Sequence, residues 1–236
     1  MAVNTDRWHV AQTYEKDWWE DRINGIDLDY LQKYATQLKE NVAPVLKITK
    51  VTKILEIGSG PAGVLTFLES DQKYAIEPLE SFFTAIPKCA EIRDKNVEYT
   101  EGMGENLPYD DGKFDLIIID NVLDHCQDVE KVFAEMNRVL SPAGVVYLRL
   151  NLYNFWGLFV RYMAELFQID EGHPYSFTKK GLEKYYKKHG LKVRTKTSRG
   201  VVKTWLKQVI SFKAKELVKA LTFSTPDTVI YILQKA

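Results

Sequence analysis

The sequence predicts an α/β fold, a mostly parallel sheet with helices on both faces, from three observations. Along residues 50–150, short apolar runs alternate with helically patterned stretches. Strands buried on both faces read as such runs, and the helices between them serve as right-handed crossovers. One run, Ile54-Leu55-Glu56-Ile57, leads straight into Gly58-Ser59-Gly60-Pro61-Ala62-Gly63, a strand followed by a turn dense in glycine. Hydrophobic residues make up 45% of the 236-residue chain, enough for the core of one large domain.

Residues 1–45 are aromatic and charged. Trp8, Tyr14, Trp18 and Trp19 fall on one expected helix; Leu28, Leu31, Tyr34, Ala35, Leu38 and Val42 recur at helical spacing on a second. This segment reads as a helical cap, with Trp8, His9, Tyr14 and Trp18 as a lid excluding water from a site below, or as ordinary packing. Residues 46–236 read as the main domain. Strands are expected at 53–57, 73–77, 97–100, 115–119 and 145–150, with further strands at 191–197 and 228–233. A helix is expected to open at 64–68, and the clearest helical pattern spans 129–140.

Lys+Arg and Asp+Glu both number 32, so no global field draws the chain to nucleic acid. Cys89 and Cys126 form no CxxC pair and no disulfide framework, which points to a reducing compartment. With no apolar signal core at the N-terminus, the cytoplasm is the expected location. No run approaches the roughly 20 apolar residues of a membrane span, and no metal centre is expected.

Gly58, Gly60 and Gly63 match G-x-G-x-x-G. Glycine lets the backbone approach a ligand with no Cβ in the way, and a helix opening at Val64 would offer free N–H groups. Glu77 closes the next apolar run. A carboxylate there accepts from both ribose hydroxyls, through charge-assisted bonds worth roughly 1.5–3 kcal/mol each. Dinucleotide enzymes use the same turn and acid. Ligands of open α/β sheets bind beyond the carboxyl ends of strands, where Glu56, Glu77, Asp120 and Asn121 fall. Glu56 and Asp120 would repel the phosphates of a dinucleotide and suit a cationic cofactor.

Further motifs follow in order: Gly102-Met103-Gly104-Glu105-Asn106-Leu107-Pro108, then Asp111-Gly112-Lys113-Phe114-Asp115 with an apolar run to Asp120. Asn121-Val122-Leu123-Asp124-His125 comes next and, past a helical stretch, Arg138-Val139-Leu140-Ser141-Pro142-Ala143-Gly144. The series resembles the class I S-adenosylmethionine-dependent methyltransferases, with a type 11-like domain, over roughly residues 50–150 plus the C-terminal strand. The resemblance implies a Rossmann-like, doubly wound, seven-stranded sheet, mostly parallel with an antiparallel C-terminal strand. It implies S-adenosylmethionine as donor and S-adenosylhomocysteine as product. By the same resemblance Glu56 lies near the methionine ammonium, and Gly58, Ser59, Gly60 and Gly63 run along methionine and ribose. Glu77 would hold the ribose hydroxyls, with Pro78 and Leu79 against the adenine, and Asp120 and Asn121 would lie under the methionine and methyl group. Two residues before Glu105 the family usually has Asp; here Met103 stands, leaving the adenine to the Gly104 N–H and to apolar packing.

Methyl transfer from a sulfonium is an in-line displacement that a protein serves by alignment, for up to ~7–11 kcal/mol. A hydroxyl acceptor also needs a base. His125 is the first candidate and His173, in Asp170-Glu171-Gly172-His173-Pro174-Tyr175, the second, against structural roles for both. Insertions at 151–177 and 199–224 are candidate substrate caps. Tyr153, Phe155, Trp156 and Phe159 either roof an acceptor pocket or form the core of an added helix. Residues 178–222 carry 14 Lys/Arg against Glu183 and Glu216, with an apolar helical stripe through Val201, Val202, Trp205, Leu206, Val209, Ile210, Leu217, Val218 and Leu221. The stripe is expected to pack on the sheet; the competing reading is contact of the basic 199–222 segment with a membrane surface or an anionic substrate. The function expected is methylation of a small molecule, on an oxygen of a sugar, polysaccharide precursor or other metabolite. An RNA methyltransferase, for which no RNA-binding module is seen, and a non-catalytic scaffold are the alternatives.

Overall fold

A computed structural model describes residues 2–167, 172–211 and 214–236. Two helices open the chain, α1 (Thr5–Glu20) and α2 (Leu28–Val42), joined by a 3-10 turn at Ile23–Gly25. Asn4 and Asp27 cap them by accepting from the N–H groups of Asp6 and Tyr30. The sheet is then built from β1 (Lys53–Ile57), β2 (Gln72–Glu77), β3 (Val97–Glu101), β4 (Phe114–Asp120), β5 (Leu140–Leu152), β6 (Leu191–Ser198) and β7 (Asp227–Lys235). Helices α3 (Glu80–Thr84) and α4 (Pro87–Ile92) follow β2, α5 (Val129–Val139) follows β4, and α6 (Phe155–Leu166) and α7 (Lys179–Lys188) follow β5. Helices α8 (Val201–Ile210) and α9 (Ala214–Leu221) precede β7.

The strand order is β3-β2-β1-β4-β5-β7-β6. Only β7 runs antiparallel to its neighbours β5 and β6, as expected of the C-terminal strand. Alternate residues serve opposite faces. Leu55, Ile57, Ile117 and Ile119 pack with α5 and α7, whereas Ile54, Leu116 and Ile118 pack with Tyr34, Leu38 and Val42 of α2. The chain reverses its winding between β1 and β4, whose carboxyl ends lie side by side.

Two expectations need correction. The helix expected at 64–68 is a single 3-10 turn, Val64–Phe67. Its Val64 and Leu65 are buried, its β-branched residues gain little from helix, and the chain re-enters the sheet at Gln72. The fifth strand starts at Leu140, earlier than expected, because Phe114 pairs with Leu140 ahead of a register shift. Among the described residues no helix is long and apolar enough to cross a membrane.

Candidate cofactor site

At the switch point the glycine turn leaves β1 with Gly58, Gly60 and Gly63 all at positive φ, 71°, 59° and 68°. Close approach reinforces the need for glycine: a Cβ on Gly58 would stand 2.4 Å from Val122 Cγ2, and one on Gly63 2.6 Å from Glu56 Oε2. Two buried carboxylates brace the turn. Glu56, 5% exposed, accepts from the Val64 and Leu65 N–H groups at 3.1 and 3.2 Å. Glu77 accepts from Gly60 N–H at 2.9 Å and Leu79 N–H at 3.0 Å. The N–H groups expected to be free at Val64 are therefore committed to Glu56. On the outer side Arg93 donates to the carbonyls of Pro61 (2.8 Å) and Gly60 (3.1 Å) while forming a bidentate pair with Glu80.

Burial sets the charge state of these acids. Desolvation lifts Glu56 to about 8, with the two backbone N–H bonds opposing it. Desolvation lifts Glu77 to about 7 against the N–H bonds of Leu79 and Gly60. Burial also raises Asp120, which Arg149 counters from 3.1 Å. Arg149 lies over the Tyr34 ring at 4.8 Å. Asn121, at the end of β4, adopts φ 55° and accepts from Asn151 Nδ2 at 2.9 Å.

These groups face one cavity of about 850 Å³. The cavity collects Glu56, Gly58, Ser59, Gly60, Gly63, Glu77, Pro78, Met103, Gly104, Glu105, Asp120 and Asn121, and also His125 and His173. Glu105 turns its carboxylate to the Gln127 and Asp128 N–H groups at 2.7 and 3.1 Å, holding the loop before α5. That loop meets the segment before α7: Tyr175 N–H donates to Asp124 O and Tyr175 Oη to Gln127 O. The contact brings the His125 and His173 rings to 4.6 Å, centroid to centroid. Asp170 and Glu171 of the same motif lie outside the described residues.

Helix α1 closes the far wall with Trp8, Tyr14, Glu15, Trp18 and Trp19. Trp8 Nε1 donates to His125 O at 3.1 Å, and Glu15 Oε2 stands 3.6 Å from His125 Nδ1. A Cβ on Gly60 would meet the Trp19 ring at 3.5 Å, so the indole lies over the turn. His9, expected in the lid, is exposed and lies outside this cavity.

Residues 55–148 match the family model of a methyltransferase domain. The chain carries a class I S-adenosylmethionine-dependent methyltransferase domain. Among curated relatives, norajmaline N-methyltransferase of Rauvolfia serpentina is 33% identical over 105 residues, covering 41% of this chain and 35% of its own. The glycine/sarcosine/dimethylglycine N-methyltransferase of Actinopolyspora halophila is 29% identical, over 45% of this chain and 20% of its own. The chain thus spans about a third or less of the length of these relatives. A geranyl diphosphate C-methyltransferase of Streptomyces coelicolor, solved with Mg2+, geranyl diphosphate and S-adenosyl-L-homocysteine, shares the fold at TM-score 0.64. It is 13% identical and covers 85% of this chain and 79% of its own.

S-adenosylmethionine is the cofactor of the methyltransferase domain, and the residues present fit it. Desolvation holds these acids toward their neutral form; a sulfonium and an ammonium beside them would favour ionisation, whereas a pyrophosphate would oppose it. Ser59 Oγ, a buried atom of a lining residue, has no hydrogen-bond partner among the described residues. Sequence reasoning missed Glu15, Tyr34, Arg93 and Arg149 in and around the site, because each acts on a partner remote in sequence. It also misplaced the aromatics after β5. Phe155, Trp156 and Phe159 are 87%, 52% and 48% exposed and line no part of the cavity. No described residue of 178–222 lines it either.

Proposed function

We propose that the protein transfers the methyl group of S-adenosylmethionine to a hydroxyl oxygen of a small, uncharged acceptor, a sugar or sugar-like metabolite being the best fit. The observation that carries the reading is the His125–His173 pair, backed by Glu15, on the cavity wall beyond Asp120 and Asn121. When bound, the cofactor supplies an electrophilic methyl group for in-line displacement. Glu77 accepts from the ribose hydroxyls, the Gly58–Gly63 backbone carries the methionine and ribose, and Met103 and Pro78 pack on the adenine. Asp120 and Asn121 orient the methyl end. His125 takes the acceptor's proton and Glu15 steadies the resulting imidazolium; with a neutral amine, as the N-methyltransferase relatives would suggest, that base is dispensable. The wall is rich in acids, Glu15, Asp21, Asp27 and Glu105 among them, which speaks against an anionic acceptor and against RNA. Helix α1 acts as a water-excluding lid.

Titration calorimetry with S-adenosylmethionine and with NAD tests the donor: tight binding of the first and none of the second is expected, and the reverse overturns the reading. A panel of polyols and amines with labelled donor tests the acceptor atom. Turnover of polyols should fall about 10²–10⁴-fold in His125→Gln with donor affinity unchanged; turnover of amines alone refutes the oxygen assignment.

A further inference from the structure

Helices α6, α8 and α9 present an apolar surface that the cavity does not use. On α6, Phe155, Phe159, Tyr162 and Leu166 recur every three or four residues and are 87%, 48%, 62% and 61% exposed. On α8, Val202, Leu206 and Ile210 form a second exposed stripe, and Phe223, just after α9, is exposed as well. Indole bonds tie the three helices together: Trp156 Nε1 donates to Thr222 O at 2.8 Å and Trp205 Nε1 to Ala220 O at 3.1 Å.

Helix α8 packs the wrong way round for a sheet-covering helix. Its buried residues are the polar Thr204 and Gln208. Gln208 Oε1 accepts from Thr225 Oγ1 at 2.7 Å, and Gln208 Nε2 donates to Glu216 at 2.9 Å. The polar face anchors the helix and the apolar face is left to the outside, the reverse of a surface helix. Lys203 and Lys207 are exposed and follow Val202 and Leu206 by one residue, about 100° around the helix, so they flank the stripe.

We propose that this face docks on a bilayer containing anionic lipid, with Phe155, Phe159 and Ile210 at the headgroup–acyl boundary and Lys203 and Lys207 against lipid phosphates. Charge decides between this occupant and a second copy of the chain. Helix α8 carries Lys203 and Lys207 and no acid, and a twofold contact through its stripe would set these lysines against each other. Lysine is depleted in protein–protein interface cores but common on interfacial helices. Arg7 of α1 bonds Glu165 of α6 at 3.0 Å, so the docked face adjoins the helix that lines the cavity.

Co-sedimentation of the whole protein with phosphatidylcholine vesicles, with and without about one third phosphatidylglycerol, tests the proposal. Binding only to the anionic vesicles is expected, reduced at least tenfold by Phe155→Ser/Phe159→Ser/Ile210→Ser and by Lys203→Glu/Lys207→Glu. S-adenosylmethionine affinity should stay unchanged in both variants, which separates this proposal from the methyltransferase reading. If the triple variant fails to fold, Phe155→Ser alone should still weaken binding. Equal binding to both vesicle types, or none, overturns it, as does a dimer in solution that the Phe155→Ser change dissolves.

Discussion

The two walls of the cavity are built in different ways. The wall formed by β1, β2 and the glycine turn is held by backbone: Glu56, Glu77 and Arg93 bond to main-chain N–H and C=O groups of residues 60–65 and 79. The opposite wall adds contacts between side chains of distant elements, Glu15 near His125 and His125 against His173, to its own backbone bonds from Trp8 and Glu105. Backbone geometry tolerates little change, whereas side-chain contacts can be exchanged without disturbing the sheet. On the proposed function, recognition of the donor would sit in the first wall, and selection of the acceptor in elements added before and after it.

The comparison breaks most sharply at Gly58. A Cβ there meets Val122 Cγ2 at 2.4 Å on a residue with φ 71°. Gly58→Ala should cost roughly 1–3 kcal/mol of stability and deform the turn. Denaturant unfolding and donor titration should show both losses, with donor affinity down at least 100-fold. A variant that binds normally would mean that the backbone of this wall is not what recognises the donor.

Glu77 sharpens the same contrast through pH. Glu56 and Glu77 titrate near 8 and 7 in the folded chain against an ordinary 4.5. Between about pH 4.5 and 8 the folded state thus holds more protons than the unfolded one, and stability falls as pH rises. The contribution of these acids is complete below about pH 4.5 and lost through about 7 and then 8. Glu77→Gln should flatten the lower part of that slope in urea titrations and weaken the donor roughly 10–100-fold by removing an anionic acceptor. Because the donor is cationic, its affinity for the unaltered protein should rise from about pH 6 to about pH 8 as the acids ionise. Affinity independent of pH would remove the charge argument for this wall.

The same division explains what the sequence made legible. Strands β1, β2, β4 and β5 are apolar runs because both their faces are covered, and the glycine spacing and Glu77 are local signals. The 3-10 turn was unreadable because its N–H groups are taken by Glu56 from the preceding strand. An amphipathic pattern reveals a stripe but not its direction, so α6 and α8, with Phe155 and Ile210 outward, read as core or roof. Glu15 and Arg149 carry no local pattern; only folding sets them beside His125 and Asp120.

The smallest expected effect belongs to the second wall. Glu15 also accepts from Trp19 Nε1 at 3.0 Å, so it links the indole over the glycine turn to the His125 ring. Around that ring stand Glu15 from α1, Asp124 from its own loop and His173 from the segment before α7. Glu15→Gln keeps the Trp19 bond and removes the charge. Its expected signature is a fall in kcat of about threefold to tenfold for a hydroxyl acceptor, with donor affinity unchanged and the basic limb of the pH–rate profile displaced. A purely structural Glu15 would instead change stability or donor affinity and leave the profile in place. Such a result would make the two walls alike after all, both serving the donor, and would leave acceptor activation to His173.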